Sequence, residues 1–555
     1  MKSKFLFKTI LCSTVLLFFC TTAGISQETL SAEQWQADLR FLQKTIHKKY
    51  PFLFKKVKAA AFDAEVEKFH AAIPSMEAHE IKVGLTRMVS FFEYGHTQIP
   101  FRTLAKDAVL AVNLYHFEDG IFLEGVQKGN EKALGAKLIK VGDMPVDKAL
   151  KAIRPVVPAE NDQYFKGYGL RFLTVPAVLH AQGVIPEYSE EIALTLEKDG
   201  KVFEHTFKSI PYSEVSEGYG FTTPNDKWVS ARNQSETPLF LKHLKEKLYF
   251  FEFLEDSKTV YVRQSSVFND EKEGLADFYK RLFEFIDSNS VEKLVYDVRL
   301  NGGGNNYNNK PLIKGIMARP EINQRGKFFY IIGRNTFSAC QNLTNEIGNY
   351  TEAIIVGEPT SENENFYGDA RKVTLPNSAI NAYLSYAWWQ DKSQWDGKEW
   401  TLPHIAKEMT FDDYKTNKDV VLDAAMNYTE TGFILNPMQH LTDLFTAGKF
   451  DEVKRAGFQI ANDPSYKYYD FKEEFSTAGH RLLNYGNPEG GIFILELVAE
   501  FYPESVGAMY NLATAQEQLK QFDKAKESYK KVMDLDPDGM TGRSAKNKLE
   551  NLNKQ

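Results

Sequence analysis

Two short stretches of this 555-residue chain hold residue types suited to acyl-bond chemistry. One is Asn335-Thr336-Phe337-Ser338-Ala339-Cys340, and the other is Asn301-Gly302-Gly303-Gly304. A serine hydroxyl is a weak nucleophile until a base takes its proton. A run of glycines lets backbone approach a substrate closely and aim N–H groups at a developing oxyanion. Each feature also has a plainer use: serine is a good helix N-cap, and glycines make tight turns. The pairing of the two favours chemistry. An apolar run that reads as a buried strand precedes each, residues 294–298 before the glycines and 328–333 before the serine. A helix-like segment follows each. Strand, turn and helix, used twice, can lift a serine to the mouth of a helix beside an oxyanion-binding turn.

Residues 294–341 resemble the tail-specific (C-terminal processing) serine peptidases, including their tricorn-like branch. That family carries Asp-x-Arg-x-Asn-x-Gly-Gly after a strand, matched by Asp297, Arg299, Asn301, Gly303 and Gly304. It also carries Thr-x-Ser-Ala, matched in the same order by Thr336, Ser338 and Ala339. The resemblance implies Ser338 as nucleophile. It implies oxyanion donors at Ala339 and at Gly303, with Gly302 as the alternative. Asp297 and Arg299 are expected to hold the turn. Most bacterial members activate the serine with a lysine about two dozen residues downstream. Here that region reads Thr360-Ser361-Glu362-Asn363-Glu364-Asn365, and the next lysine, Lys372, lies outside the family's motif. The tricorn-like branch instead uses an upstream histidine followed by a small or hydroxyl residue, which Gly95-His96-Thr97 matches. An imidazole of pKa about 6.5 suits that task at neutral pH. His404, where the family has Pro-Asp, is the rival base. The branch orients its histidine with a glutamate downstream of the serine. Asp396 and Glu399 both qualify, and spacing does not separate them. The aromatics Tyr383, Tyr386, Trp388, Trp389, Trp395 and Trp400 line a substrate groove or fill a core. Cys340 reads as a packing cysteine.

The elements that must position these residues fall into four regions of an α/β protein. Residues 27–103 are a helical N-terminal domain, with Trp35, Leu39, Leu42 and Ile46 at helical spacing and Pro51 ending the run. Residues 104–212 are β-rich. Within them 135–146 resembles the PDZ segment of these peptidases, which binds a peptide by strand addition, and 160–183 reads as an insertion. A polar linker, 213–238, opens the catalytic α/β core, 213–430, where strands and helices alternate. The resemblance implies a crotonase-like spiral of βαβ units there. Residues 431–555 resemble tetratricopeptide repeats. Leu512, Ala513, Phe522, Ala525, Tyr529 and Pro537 fall at the repeat's packing positions, and Pro503 lies about one 34-residue period before Pro537. A further, degenerate hairpin is expected over 442–461.

Residues 1–26 read as a signal peptide: Lys2, Lys4 and Lys8 precede an apolar run, 10–20, too short for a comfortable membrane span. The expected location is exported, periplasmic or extracellular, peripheral to the outer membrane, with no span after cleavage. Cys20 follows Phe19, where a lipoprotein cysteine would want a small residue. Cleavage would leave Cys340 alone, so no intramolecular disulfide is expected. A net charge of -7 without a basic stripe argues against nucleic acid. No His-x-x-x-His and no cysteine cluster is present, so neither a metal nor a cofactor is implied. The reading is an exported serine endopeptidase of the tail-specific type, acting on a peptide or protein, with the repeats available to a protein partner. Its rivals are a catalytically silent protein that binds peptides or apolar ligands, and a scaffold working through its repeats.

Overall fold

The computed structural model describes residues 30–394, 397–430 and 433–554. The expected signal peptide, Trp395 and Asp396 lie outside the described residues. The protein is mixed α/β, with helical regions at both ends and β-sheets between. Among the described residues no helix is long and apolar enough to cross a membrane.

The first helix, Ala32–Lys49, starts at a reciprocal capping box between Ser31 and Gln34. It stops before Pro51, which opens a 3₁₀ turn, Pro51–Lys55. With Ala59–Ala72 and Ala78–Ser90 it buries Leu39, Leu42, Ile46, Phe62, Phe69 and Leu85. That core is not closed by helices alone. Leu375, Ile380, Ala382 and Leu384, from the long antiparallel hairpin Asn365–Thr374 and Asn381–Gln390, pack into it. Asp38, fully buried, accepts hydrogen bonds at the hairpin's tip from the Asn377 and Ser378 amides, both at 2.8 Å, and from Asn377 Nδ2 at 2.9 Å. The hairpin therefore locks the helical region to the α/β region that follows.

The second region is an eight-stranded sheet whose long members are Val112–Phe117, Gly120–Gln127, Lys137–Val141, Glu191–Lys198 and Lys201–Ile210. Trp228–Ser230, inside the stretch expected to be a linker, is also a strand of this sheet. Buried Glu124 explains it. Its carboxylate accepts from Asn113 Nδ2, the Thr222 amide and Ser230 Oγ, all near 2.9 Å, which ties the polar segment to the sheet. Residues 154–183 leave the sheet as a series of short helical turns, including Asp162–Tyr164, Phe165–Gly169 and Pro176–Ala181.

The third region is a six-stranded sheet. Tyr249–Leu254 pairs antiparallel with Thr259–Gln264, and then Lys293–Asp297, Phe328–Ile332, Ile354–Gly357 and Ile405–Ala406 follow in parallel. Parallel strands are covered on both faces, and so read as continuous apolar runs. Here Leu294, Tyr296, Phe328 and Tyr330 pack under the helices Leu275–Ser288 and Ala339–Tyr350. Val295, Phe329, Ile331 and Val356 pack on the other face against Val421 and Ala425. The C-terminal helices then stack in pairs: Pro437–Thr446 with Phe450–Asn462, Phe471–Asn484 with Pro488–Phe501, and Val506–Gln518 with Phe522–Leu535, closed by Met540–Leu552. Repeat units mostly contact their neighbours, but here the array also reaches back. Lys467 Nζ lies 2.9 Å from both Glu118 and Glu408, and the Tyr468 hydroxyl donates to Glu408.

Asp38→Ala strands three donors at the hairpin tip and is expected to cost about 2–3 kcal/mol, since hydrogen bonds to a charged acceptor are worth about 1.5–3 kcal/mol. Urea unfolding of the variant checks this. An unchanged midpoint would mean that the hairpin is held by its apolar contacts alone.

Candidate active site

The strand Phe328–Ile332 runs into a turn of six residues and then the helix Ala339–Tyr350. Buried Thr336 shapes the turn: its Oγ1 accepts from the Gly333 amide at 3.0 Å and donates to the Val298 carbonyl at 3.2 Å. The chain enters the helix at Ser338 with φ 58° and ψ -128°, a conformation that costs a non-glycine residue energy. Its side chain makes no capping hydrogen bond to the helix. Ser338 thus bears strain without serving as a conventional N-cap.

The glycine turn lies against it. Asp297 accepts from the Arg299 amide at 3.0 Å and the Tyr261 hydroxyl at 2.8 Å, and Arg299 forks onto Asp419 at 2.8 and 3.1 Å. These buried groups brace the turn. Gly303 has φ 100°, and a Cβ there would fall 2.6 Å from the Ser338 Cβ and 2.9 Å from the Ala339 nitrogen. Only glycine fits so close to the serine. The Gly303 amide donates to Asn301 Oδ1 at 2.9 Å, whereas those of Gly302 and Ala339 have no acceptor among the described residues.

His96 arrives from the helical region on a turn closed by a hydrogen bond from the Thr97 amide to the Tyr94 carbonyl, 2.8 Å. Two backbone hydrogen bonds between Gln98 and Tyr383, both 2.8 Å, pin this segment to the long hairpin. A Cβ on Gly95 would lie 2.5 Å from Tyr164 and 2.8 Å from Phe337, so the turn packs closely on both. The imidazole stacks on Phe337, ring centres 4.6 Å apart, and near Phe366 at 6.2 Å. Its Nε2 lies 3.3 Å from Glu362 Oε1 without a hydrogen bond between them, and Glu362 Oε2 accepts the Ser338 amide. One fully buried carboxylate therefore stands between the histidine and the serine's backbone. Burial pushes the Glu362 carboxyl well above its ordinary range, against the opposing pull of the Ser338 amide and Lys56. Burial also pushes the His96 imidazole down, with Glu160 and Asp369 opposing. Glu160, likewise buried, accepts from the Gly95 amide at 2.9 Å and the Asn363 amide at 3.3 Å. Burial, with Glu362 adding to it and Lys56 opposing, raises its carboxyl to about 7.

Ser338, Ala339, Gly303 and the turn bearing His96 are thus brought together. Of the acids expected downstream, Glu399 is exposed, and Asp396 lies outside the described residues. The carboxylate beside His96 is Glu362, 24 residues after Ser338, at the distance where the commoner family pattern has lysine. Inspecting that stretch for a base alone passes over it. Glu160 had no sequence signal beyond its place at the edge of the expected insertion. His404 instead immediately precedes the strand Ile405–Ala406. Its Nδ1 accepts from the Ile355 amide at 2.9 Å, and burial, with Arg325 assisting, lowers it to about 4. Lys372 is exposed on the hairpin. Cys340 is fully buried under the sheet, and burial pushes its thiol up, as befits a packing residue. The aromatics Tyr383, Tyr386, Trp388 and Trp389 belong to the hairpin's second strand. Among the described residues no cluster of three or more metal-binding side chains is present.

Residues 506–538 match the family described as tetratricopeptide repeat. No curated protein matches the chain. Similar solved structures include mature CPAF complexed with lactacystin, at 13% identity, covering 72% of this chain and 100% of that one, with a TM-score of 0.48. The photosystem II D1 C-terminal processing protease is 11% identical over 69% of this chain and 98% of its own, TM-score 0.33. A peptidase from Parabacteroides merdae is 12% identical over 73% and 100%, TM-score 0.33.

Glu160 sets a sign for the pH dependence of stability. With its folded value raised to about 7 from an ordinary 4.5, the native state holds a proton that the unfolded chain releases. Its contribution is full below the unfolded value and is lost as pH rises through about 7. Between those limits this group should lower stability by up to roughly 1.4 kcal/mol per pH unit. Glu160→Gln should flatten that slope, as read from unfolding midpoints at a series of pH values. An identical slope in the variant would show that Glu160 does not hold the proton.

Proposed function

We propose that the chain is a serine peptidase of the tail-specific, tricorn-like kind, with Ser338 as nucleophile, His96 as base and Glu362 as the acid that orients it. The observation that carries this is the single buried carboxylate contacting both the His96 imidazole and the backbone of a strained, uncapped serine. In the active form Glu362 is ionised and accepts Nε2–H, leaving Nδ1 as the nitrogen that takes the Ser338 proton. The serine oxygen attacks a peptide carbonyl, and the negative charge that develops is met by backbone amides. Ala339 is one donor. Gly302 is the better second donor, because the Gly303 amide is already engaged by Asn301. His96 then protonates the leaving amine, and water resolves the acyl-enzyme by the same groups in reverse.

The region 104–212 is read as PDZ-like, with the strand Lys137–Val141 and the helix Val146–Ile153 flanking a peptide groove. The six-stranded region is read as a crotonase-like catalytic core, and the repeats as a surface for a protein partner. The signal-like start supports export. A binding-only reading draws on the occupied Gly303 amide. A fluorophosphonate probe separates the two, since labelling that disappears in Ser338→Ala requires an activated serine.

Ser338→Ala is expected to abolish peptide hydrolysis while leaving the far-UV circular dichroism unchanged; undiminished turnover by the purified variant would sink the mechanism. Because Glu362 must lose its proton and His96 must be neutral, kcat/KM should rise with pH. The acid limb belongs to the coupled pair and should lie above the ordinary carboxylate range. Glu362→Gln should lower kcat by about 10²–10⁴-fold, the range expected when a base loses its orienting acid. A loss of less than threefold would remove Glu362 from the mechanism.

A further inference from the structure

A cavity of about 410 Å³ opens beside the glycine turn. Gly302 and Gly303 form one wall. Another wall is the segment Phe165–Gly169 and Leu170–Thr174, which contributes Tyr168 and Arg171 to the lining. The closeness is direct: a Cβ on Gly302 would lie 3.6 Å from the Tyr168 hydroxyl.

Three cations line this cavity, and two are matched by acids behind the wall. Lys166 pairs with Glu408 at 3.4 Å. Arg334 pairs with Glu358 at 2.8 Å and lies 3.6 Å from Glu408. Glu217, the acid on the cavity's own surface, accepts the Tyr212 hydroxyl at 3.2 Å. Arg171 is different. Its guanidinium lies over the Phe101 ring at 4.4 Å, and its Nε is buried without a hydrogen-bond partner. Among the described residues no carboxylate pairs with it. A guanidinium carries five donors in a rigid fork that fits a carboxylate. Left unused in a half-buried site, those donors favour an anionic occupant.

We infer that Arg171 receives a carboxylate of the bound peptide, placing an acidic group close to the bond that Ser338 would cleave. The inference rests on the peptidase reading for the identity of the occupant. Gly302 and Gly303 line the cavity, so a peptide whose carbonyl meets an oxyanion donor on this turn has the cavity open beside it. Phe101 seats the cation from below, and Lys166 and Arg334 remain held by their own acids. The carboxylate has two possible sources, an Asp or Glu side chain and the chain's terminal carboxylate.

The test is a binding measurement that does not need turnover. Full-length Ser338→Ala is titrated by fluorescence anisotropy with N-terminally fluorescein-labelled octapeptides of Ala, Leu and Ser. One series carries Glu at each position in turn, the matched series carries Gln, and each is made with a free and with an amidated C terminus. At least one carboxylate should tighten binding by about tenfold, the gain expected of one charge-assisted contact. Adding Arg171→Gln should erase that gain and leave the Gln-bearing amidated peptides unaffected, whereas Arg171→Lys should retain part of it. A Glu-over-Gln difference assigns the side chain, and an acid-over-amide difference assigns the terminus. Equal affinity for all four forms, or an equal loss for all four in Arg171→Gln, would overturn the inference. Parallel assays of active wild-type protein on the same peptides distinguish the two proposals. Cleavage without carboxylate preference sinks this inference alone. Carboxylate-dependent binding without any Ser338-dependent cleavage sinks the peptidase reading alone.

Discussion

A carboxylate taken out of water is costly unless donors surround it, and the arrangement around Ser338 is built on that constraint. Glu362 is fully buried, with the Ser338 amide on one oxygen and the His96 imidazole near the other. Glu160 is buried close by and needs donors of its own, which it takes from Gly95 and Asn363. Those two amides adjoin His96 and Glu362. The same bonds that satisfy one acid therefore set the positions of His96 and of the other acid. Three regions of the chain have to dock for either carboxylate to be tolerated.

The strain at Ser338 follows the same logic. A backbone in an unfavourable conformation persists when its surroundings over-determine it. Thr336 bridges the strand ends on one side, and Ser361 Oγ donates to the Thr336 carbonyl at 3.1 Å on the other. Below, Arg299 sits between Asp297 and Asp419 and holds the glycine turn against the serine. This rigid, buried polar frame leaves the hydroxyl with no duty to the helix.

The repeat array meets this frame electrostatically. Burial alone would raise the Glu408 carboxyl, but Lys166, Tyr468, Lys467 and Arg334 more than offset it and hold the group at about 2. The array thus contributes two of the partners of an acid whose other partners, Lys166 and Arg334, line the cavity beside the glycine turn. A solenoid tied on in this way supports residues of the cavity wall as well as offering a surface of its own.

Local pattern was enough for much of this. The apolar runs at 294–298 and 328–333 announced buried strands, because strands covered on both faces have no polar side to show. Glycine and serine types announced the turns between them, and Ala513, Ala525 and Tyr529 announced helix packing in the repeats. These are short-range signals carried by side-chain size and backbone freedom. The strand at Trp228–Ser230 was not legible, since the polar residues of its segment are satisfied by Glu124, far away in the chain. The acid facing His96 was not legible either. The family resemblance pointed to Asp396 or Glu399, whereas Glu362 stands beside the imidazole through the packing of the helical region, the hairpin and the residues around Glu160. Its weakened acidity does not exist in the unfolded chain, because desolvation is created only when those surfaces close. The sequence by itself determined which residues could react. Tertiary structure decided which carboxylate stands beside His96, because burial and long-range hydrogen bonds are properties of the closed site.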